Sequence, residues 1–428
     1  MTLLDFLPSL HRAATPRIDP AIWPSTATVD GLGRLCVADV ALPEIADEFR
    51  TPTYVLDETD FRRRLKHYRT TLRDVEIVYA AKSLLTTDVA RWVADEGAGL
   101  DVSSGGELAI ALAAGFNPAR IIMHGNAKTV DELRDAATVG VGRIVVESSM
   151  EIAFLACEVS RPQKVLLADD RATDLTKRIL HQPLLNLVGL HCHIGSQITD
   201  PTLFGEAIHR MISAMANIRA RHGVLLHELS IGGGHGVPYV SGDPELDLAE
   251  LANVIDDALD LACATERFPR PRLVVEPGRA ISARAGVTLY RVVSVKSQPG
   301  GRTFVSVDGG MSDNPRVALY GAKYTVALVN RHALGPTKVV TIAGRHCEAG
   351  DEIARDVELP ADIHPGDLLA VACTGAYQHS MASNYNMVGR PPIVAVRHGQ
   401  VTEIVRRETT ADLLARDRGW SGGVARHD

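Results

Sequence analysis

Apolar and β-branched residues fall along this chain in short runs at regular intervals. VEIVYAAK (Val75–Lys82), GLDV from Gly99, RIIMHG from Arg120, RIVVES from Arg143, KVLL from Lys164 and LVGLHCH from Leu187 recur with a period of roughly 22 residues. LHELSI (Leu226–Ile231) and RLVVE (Arg272–Glu276) follow at longer intervals. Between the runs lie polar loops and stretches with helical spacing. Thr129 with Glu132, and Ser148 with Glu151, fit the capping box that opens a helix. Gly97, Gly115 and Gly140 sit where a left-handed helix end is wanted. Nearly all-apolar strands that alternate with helices predict a parallel sheet covered on both faces. The eight units predict a (β/α)8 barrel over residues 51–302, with TYVLD (Thr53–Asp57) as a strand and Glu58–Leu72 as a helix at its start.

The pattern changes on either side. Residues 1–50 are broken by Pro8, Pro16, Pro20 and Pro24, with Arg34–Val37 as a short strand-like run. From Thr303, the runs TFVSVDGG, KVVTIAG, DLLAVAC and PIVAVRHG alternate with Gly, Pro and Asp, which predicts an antiparallel β domain over 303–418. Arg406–Arg418 reads as a closing helix and 419–428 as a mobile tail.

Composition narrows the class. A net charge of −7 leaves no basic footprint for nucleic acid. No apolar run approaches the ~20 residues of a membrane span, and the first residues lack a basic start followed by an apolar core. The six cysteines contain no CxxC pair, which argues for reduced thiols and a cytoplasmic protein.

In a (β/α)8 barrel the chemistry sits at the C-terminal ends of the strands. Here these are Lys82, Asp101, His124, Glu147, His191, His193, Gly232–Gly234 and Glu276–Arg279. A lysine closing a buried strand is either paired or used, because burial disfavours its charged form. The glycines of IGGGHG and the GR of EPGR end the seventh and eighth strands, where backbone amides and a guanidinium can cradle a phosphate. In HCHIGSQ, His191 and His193 are two apart and so point the same way. They suit metal ligation, stacking on a planar cofactor, or a core hydrogen bond. Metal ligation is set aside, because metal-dependent barrel hydrolases of the amidohydrolase type place such a pair on the first strand and not the sixth. Glu276 needs a partner, either a pyridine nitrogen that it would keep protonated or a cation such as Arg279 or Lys82. Lysine, carboxylate, histidine and a phosphate cradle together suit pyridoxal phosphate. Neither GxxxxGK[ST] nor a GxGxxG opening competes.

The motifs YAAK, LDVSSGGEL, HGN, HCHIGSQI, IGGG, VEPGR, DGGMSD, RVALYGA, CEAGD and GAYQHSMASNYN, in this order from about Gly31 to Leu414, resemble those of the diaminopimelate decarboxylases. These belong to the fold-type III group, which also holds ornithine and arginine decarboxylases. The resemblance implies a pyridoxal phosphate barrel followed by a β domain that takes in the N-terminal segment. It also implies a homodimer in which each active site is completed by the partner. Lys82 would attach the cofactor and His193 would stack on its ring. Ser196, Gly233, Gly234, Gly278, Arg279 and Tyr377 would hold the phosphate, and Glu276 would meet the ring nitrogen. Arg316 and Tyr320, with Arg279, Tyr377 and Glu348, would read the substrate. Cys347 would donate a proton across the dimer. The implied reaction is decarboxylation of meso-2,6-diaminopimelate to L-lysine and CO2, the last step of lysine biosynthesis. No metal is implied.

The chain departs from the family most in one region. KVLL (Lys164–Leu167) runs straight into ADDRATDLTKRIL (Ala168–Leu180), without the long loop that relatives carry there. The kept period leaves room for a strand and a helix, but the missing loop lies near the cofactor and the dimer contact. Two alternatives therefore stay open: a decarboxylase of a related amino acid, and a catalytically weak regulatory homologue. Gln378 and His379 also stand where glycine and an aromatic are common, which is expected to loosen substrate choice.

Overall fold

The structure, a computed structural model, describes residues 18–168, 173–297, 299, 301–333 and 335–420. The start of the N-terminal segment (1–17) and all but the first two residues of the expected mobile tail lie outside the described residues, as do residues 169–172, where a shortened loop was expected. The chain forms two compact units, Arg62–Val237 with Pro244–Ile281, and Met1–Phe61 with Pro238–Asp243 and Ser282–Asp428.

The first unit is a closed barrel of parallel strands. These are β1 (Val75–Ala80), β2 (Gly99–Val102), β3 (Ile121–Met123), β4 (Arg143–Val146), β5 (Gln163–Leu167), β6 (Leu185–His191), β7 (Glu228–Ser230) and β8 (Arg272–Val275). β8 closes on β1 with Leu273 opposite Val75. Val78, Ile122, Val145, Leu166, Val188 and Val274 form one buried cluster across six of the strands. Removing each such side chain from water contributes about 1.5–3 kcal/mol. The helix Thr173–Leu180 follows β5, so the fifth unit has both of its elements.

At the N-terminal ends of the strands the filling is ionic. Buried Arg143 reaches Glu76 at 2.7 Å and buried Glu228 at 2.5 Å, and Arg272 reaches Glu228 at 2.5 Å. Of the two expected capping boxes, Thr129–Glu132 is complete. Ser148 accepts from the Glu151 amide, but the Glu151 carboxylate turns away to the Lys128 and Glu147 amides and the Lys128 ammonium. There it ties the loop after β3 to the loop after β4. Among the described residues no helix is long and apolar enough to cross a membrane.

The second unit carries a nine-stranded sheet. Its main path runs Glu352–Pro360, Thr337–Ala343, Thr303–Val307, Gly286–Ser297, Thr53–Asp57, Ile393–Arg397, Gln400–Val405. Most pairs are antiparallel, but Thr303–Val307 with Thr337–Ala343, and Thr53–Asp57 with Ile393–Arg397, are parallel. Thr53–Asp57 and Gly286–Ser297, which a barrel over 51–302 would contain, pair with each other here. The reason is that β8 already closes on β1, and the fully buried TYVLD needs a neighbour on both edges. Short strands at Thr28–Val29, Leu35–Val37 and Val40–Ala41 belong to the same unit, held by Leu35 donating to the Val329 carbonyl and Gly399 to that of Ala38. The closing helix is shorter than expected, Thr410–Leu414, because Thr409 with Asp412 caps it and starts it late.

Candidate active site

β1 ends at Ala80, and a single 3-10 turn, Ala81–Ser83, presents Lys82. Buried Ser83 fixes the turn by bonding to the Ala80 carbonyl and the Tyr79 hydroxyl, both at 2.9 Å. Lys82 itself is exposed, which corrects the argument from burial: the strand is buried and its terminal lysine is not. What singles Lys82 out is its company. Its charge acts on Asp101, Glu107, His124, His191 and His193, the polar groups gathered at the barrel mouth.

Glu276 follows β8 and is buried among donors. Oε1 accepts from His124 Nε2 at 3.1 Å and Ser230 Oγ at 2.8 Å, and Oε2 accepts from His191 Nε2 at 3.2 Å. The two imidazoles meet edge to face, with centroids 4.3 Å apart. Burial opposes a charge on Glu276, but His124 and His191 outweigh it and hold the carboxyl well below its usual range. Burial likewise opposes a charged His124, yet Glu276 and Asp101 lift its pKa to about 9. For His191 burial prevails and lowers the pKa, so the neutral ring donates through Nε2. Burial pushes the Asp101 carboxyl up to about 6, and Asp101 Oδ1 is buried, 3.9 Å from His124 Nε2. The His124, His191 and Glu276 donor atoms lie within 4.8 Å of one another, a spacing that ligand-type side chains also show at metals. Here both rings are turned onto the carboxylate.

The loops after β6, β7 and β8 pack too closely to admit side chains. A Cβ on Gly233 would lie 2.1 Å from the Glu276 carbonyl oxygen, and one on Gly234, at φ +90°, would lie 2.1 Å from that of Gly195. Gly278 packs on the lysine turn, where a Cβ would lie 3.0 Å from Ser83 Oγ. Beside this cradle Arg279 donates to Ser196 Oγ at 3.1 Å. His193 is exposed next to it, with Nδ1 accepting from the Gly233 amide at 3.4 Å. Of the two histidines, then, His191 makes the core hydrogen bonds and His193 presents its ring at the mouth. Two clefts, of about 480 and 220 Å³, share Ala168, His191, Cys192 and His193. Glycine amides, a guanidinium, an accessible lysine and a buried ionised carboxylate form a donor set that fits pyridoxal phosphate. One lone pair on Glu276 Oε2 remains for a ring N–H.

The second unit carries the other predicted residues. Arg316 and Tyr320 bound one short helix, Arg316–Tyr320. Arg316 is not a surface charge: it is buried, donates to Tyr324 Oη at 2.6 Å and lies 4.9 Å over the Tyr239 ring. Tyr320 is exposed. Cys347 and Glu348 are also exposed, and Glu348 accepts from Tyr385 Oη at 3.2 Å. Tyr377 is half-buried, with a left-handed φ of 59°. Gln378, expected to loosen substrate choice, is buried and donates at 2.7 Å to both Asn314 Oδ1 and Tyr324 Oη, which braces the phenol that holds Arg316.

Sequence reasoning noted Asp101 and His124 as strand ends without giving them a role, and it missed Ser230. A polar residue closing a nearly apolar strand was the available signal.

Comparisons with known proteins agree with this geometry. Residues 58–177 and 167–283 match the family described as "Pyridoxal-dependent decarboxylase, pyridoxal binding domain". The two matches overlap at 167–177. A diaminopimelate decarboxylase of Actinosynnema pretiosum subsp. auranticum is 46% identical, covering 97% of this chain and 100% of that protein. That of Mycobacterium tuberculosis is 42% identical, covering 92% and 97%. The crystal structure of diaminopimelate decarboxylase from M. jannaschii in co-complex with L-lysine superposes with a TM-score of 0.86 at 30% identity, covering 92% of this chain and 98% of that one.

Proposed function

The chain belongs to the diaminopimelate decarboxylase family of pyridoxal-dependent decarboxylases, and from that premise we propose that it converts meso-2,6-diaminopimelate to L-lysine and CO2, as the last step of lysine biosynthesis. The observation that carries the reading is Glu276, a buried carboxylate kept ionised and fixed by three donors at the barrel mouth, beside an accessible lysine. When bound, pyridoxal phosphate supplies a sink for the electron pair that the departing carboxylate leaves behind.

The residues divide the remaining work. Lys82 would hold the cofactor through its amine. Ser196, Gly233, Gly234, Gly278 and Arg279, with Tyr377, would hold the phosphate, and His193 would lie against the ring. Glu276 would keep the ring nitrogen protonated, and His124 and His191 hold Glu276 in place. Arg316, Tyr320 and Glu348, with Arg279 and Tyr377, read the far end of the substrate. A guanidinium has more donors than the bond to Tyr324 uses, which leaves Arg316 able to meet a distal carboxylate. Ornithine has no such group. Cys347 Sγ or the Lys82 amine returns a proton to Cα. In this reading the enzyme is a cytoplasmic homodimer, and Cys347 and Glu348 serve the partner's site.

The test is CO2 release from meso-diaminopimelate, ornithine and arginine by the purified protein, together with borohydride reduction and peptide mapping. Release from diaminopimelate above the other two, with the pyridoxyl label on Lys82, is expected. Release from another amino acid alone would assign the chain to a related decarboxylase. No release from any, or a label elsewhere, would overturn the reading in favour of the regulatory homologue.

A further inference from the structure

The loop that carries Cys347 is braced from within by the residue before it. His346 is buried, and its ring bridges two other loops: Nε2 is 2.8 Å from Ser312 Oγ and Nδ1 is 3.1 Å from Asn386 Oδ1. The same Asn386 oxygen accepts the Cys347 amide at 3.3 Å. A backbone N–H can only donate, so the atom facing it is the amide oxygen, and His346 must carry its proton on Nδ1. Nε2 pairs with the Ser312 hydroxyl on the other side, so both ring nitrogens are committed.

The His346 backbone is fixed as well. Its amide donates to Asp351 Oδ2 at 2.6 Å, and Asp351 Oδ1 takes the Met311 amide at 2.6 Å. Ser383 donates its amide to the Ser312 carbonyl at 2.9 Å. The Tyr385 ring lies 5.2 Å from the His346 ring, and its hydroxyl donates to Glu348. Asn386 holds a left-handed φ of 51°, so its side chain reaches back to the loop from a tight turn. The three loops around residues 309–314, 344–351 and 383–387 are thus joined at one imidazole, with the Cys347 and Glu348 side chains left exposed.

We propose that His346 is a positioning residue, which sets Cys347 Sγ for proton transfer by locking the backbone on either side of it. This rests on the role given to Cys347 above. A misplaced donor costs rate more than binding, since the substrate contacts outside this loop, Arg316 and Tyr320, remain.

The holoenzyme variants His346→Leu, Ser312→Ala, Cys347→Ala and the double variant His346→Leu/Cys347→Ala test it, with kcat and KM for meso-diaminopimelate. The rate of Cys347 alkylation by iodoacetamide, followed by peptide mass spectrometry, is the second readout. His346→Leu should lower kcat about 10- to 100-fold with little change in KM, and should shift the alkylation rate. In the Cys347→Ala background it should add almost nothing, because a group acting through Cys347 has nothing left to act through. Ser312→Ala, which removes one hydroxyl and little volume, should give a smaller loss in the same direction and serves if His346→Leu does not fold. An unchanged kcat and alkylation rate, or an equal loss with and without Cys347, would overturn the proposal. A fully active Cys347→Ala enzyme whose alkylation in the parent responds to His346→Leu would instead remove the catalytic reading of Cys347 and leave the bracing intact.

Discussion

His124 Nε2 stands 3.1 Å from Glu276 Oε1, and this contact sets the charge of the barrel mouth. His124 rises from 6.5 to about 9 on folding, so the stability it contributes is fully present below pH 6.5 and is lost as pH climbs through 9. In cofactor-free protein, the thermal midpoint of the wild type minus that of His124→Gln should shrink across this window. A difference that stays flat from pH 6.5 to 9 would show that His124 is not charged in the fold.

His235 gives the opposite dependence. It is buried between Tyr68, stacked at 5.5 Å, and the edge of Phe204, and its Nε2 has no hydrogen-bond partner among the described residues. Burial lowers its pKa to about 4. Folding therefore favours the neutral ring, and stability falls as pH drops from 6.5 through 4, by roughly 3 kcal/mol in all. His235→Phe with Tyr68→Phe, which removes both polar partners together, should flatten this acid limb in urea titrations. The same slope in wild type and double variant would assign it to other groups.

Arg143 is the hub of the ionic layer at the far end of the barrel. Replacing it with alanine breaks the buried pair with Glu228 and leaves Glu76 and Glu228 only the exposed Arg272, at 3.6 and 2.5 Å. Breaking a buried pair in this way costs on the order of 3–5 kcal/mol. Equilibrium unfolding should show that loss, while kcat per folded protein stays near wild type, because none of the candidate site residues lies in this layer. A large drop in kcat would mean that the two ends of the barrel are coupled.

Gly233→Ala tests the cradle. The new Cβ would meet the Glu276 carbonyl oxygen at 2.1 Å, which is backbone and cannot swing aside. The seventh loop must move off the eighth, at a cost of about 1–3 kcal/mol, so the affinity of the apo-protein for pyridoxal phosphate should fall by roughly 5- to 150-fold. Fluorescence titration with the cofactor measures it, and wild-type affinity would disprove the close packing.

The barrel was readable because each strand is a self-contained apolar run, and the strand ends followed from the fold. Lys82, His193 and Glu276 are candidates named in this way. The Asp101–His124–Ser230 grouping about Glu276 was not, since it joins β2, β3, β7 and β8 through side-chain reach that no local spacing encodes. The same holds for Arg316, whose burial depends on Tyr239 and Tyr324. Glu151 shows the limit of a local motif: the capping pattern was present, but a lysine on a neighbouring loop competed for its carboxylate. TYVLD went astray for a related reason. Its pattern marks a buried strand, but its neighbours come from the other end of the chain.

That last feature bears on how the protein is made. Thr53–Asp57 leaves the ribosome early, yet both strands that flank it, Gly286–Ser297 and Ile393–Arg397, are synthesised only after the whole barrel. The barrel has all its own pairings by then and can fold as a unit, while an apolar strand with two open edges waits upstream. During translation this strand, and not the longer barrel, is the part that chaperones have most reason to bind.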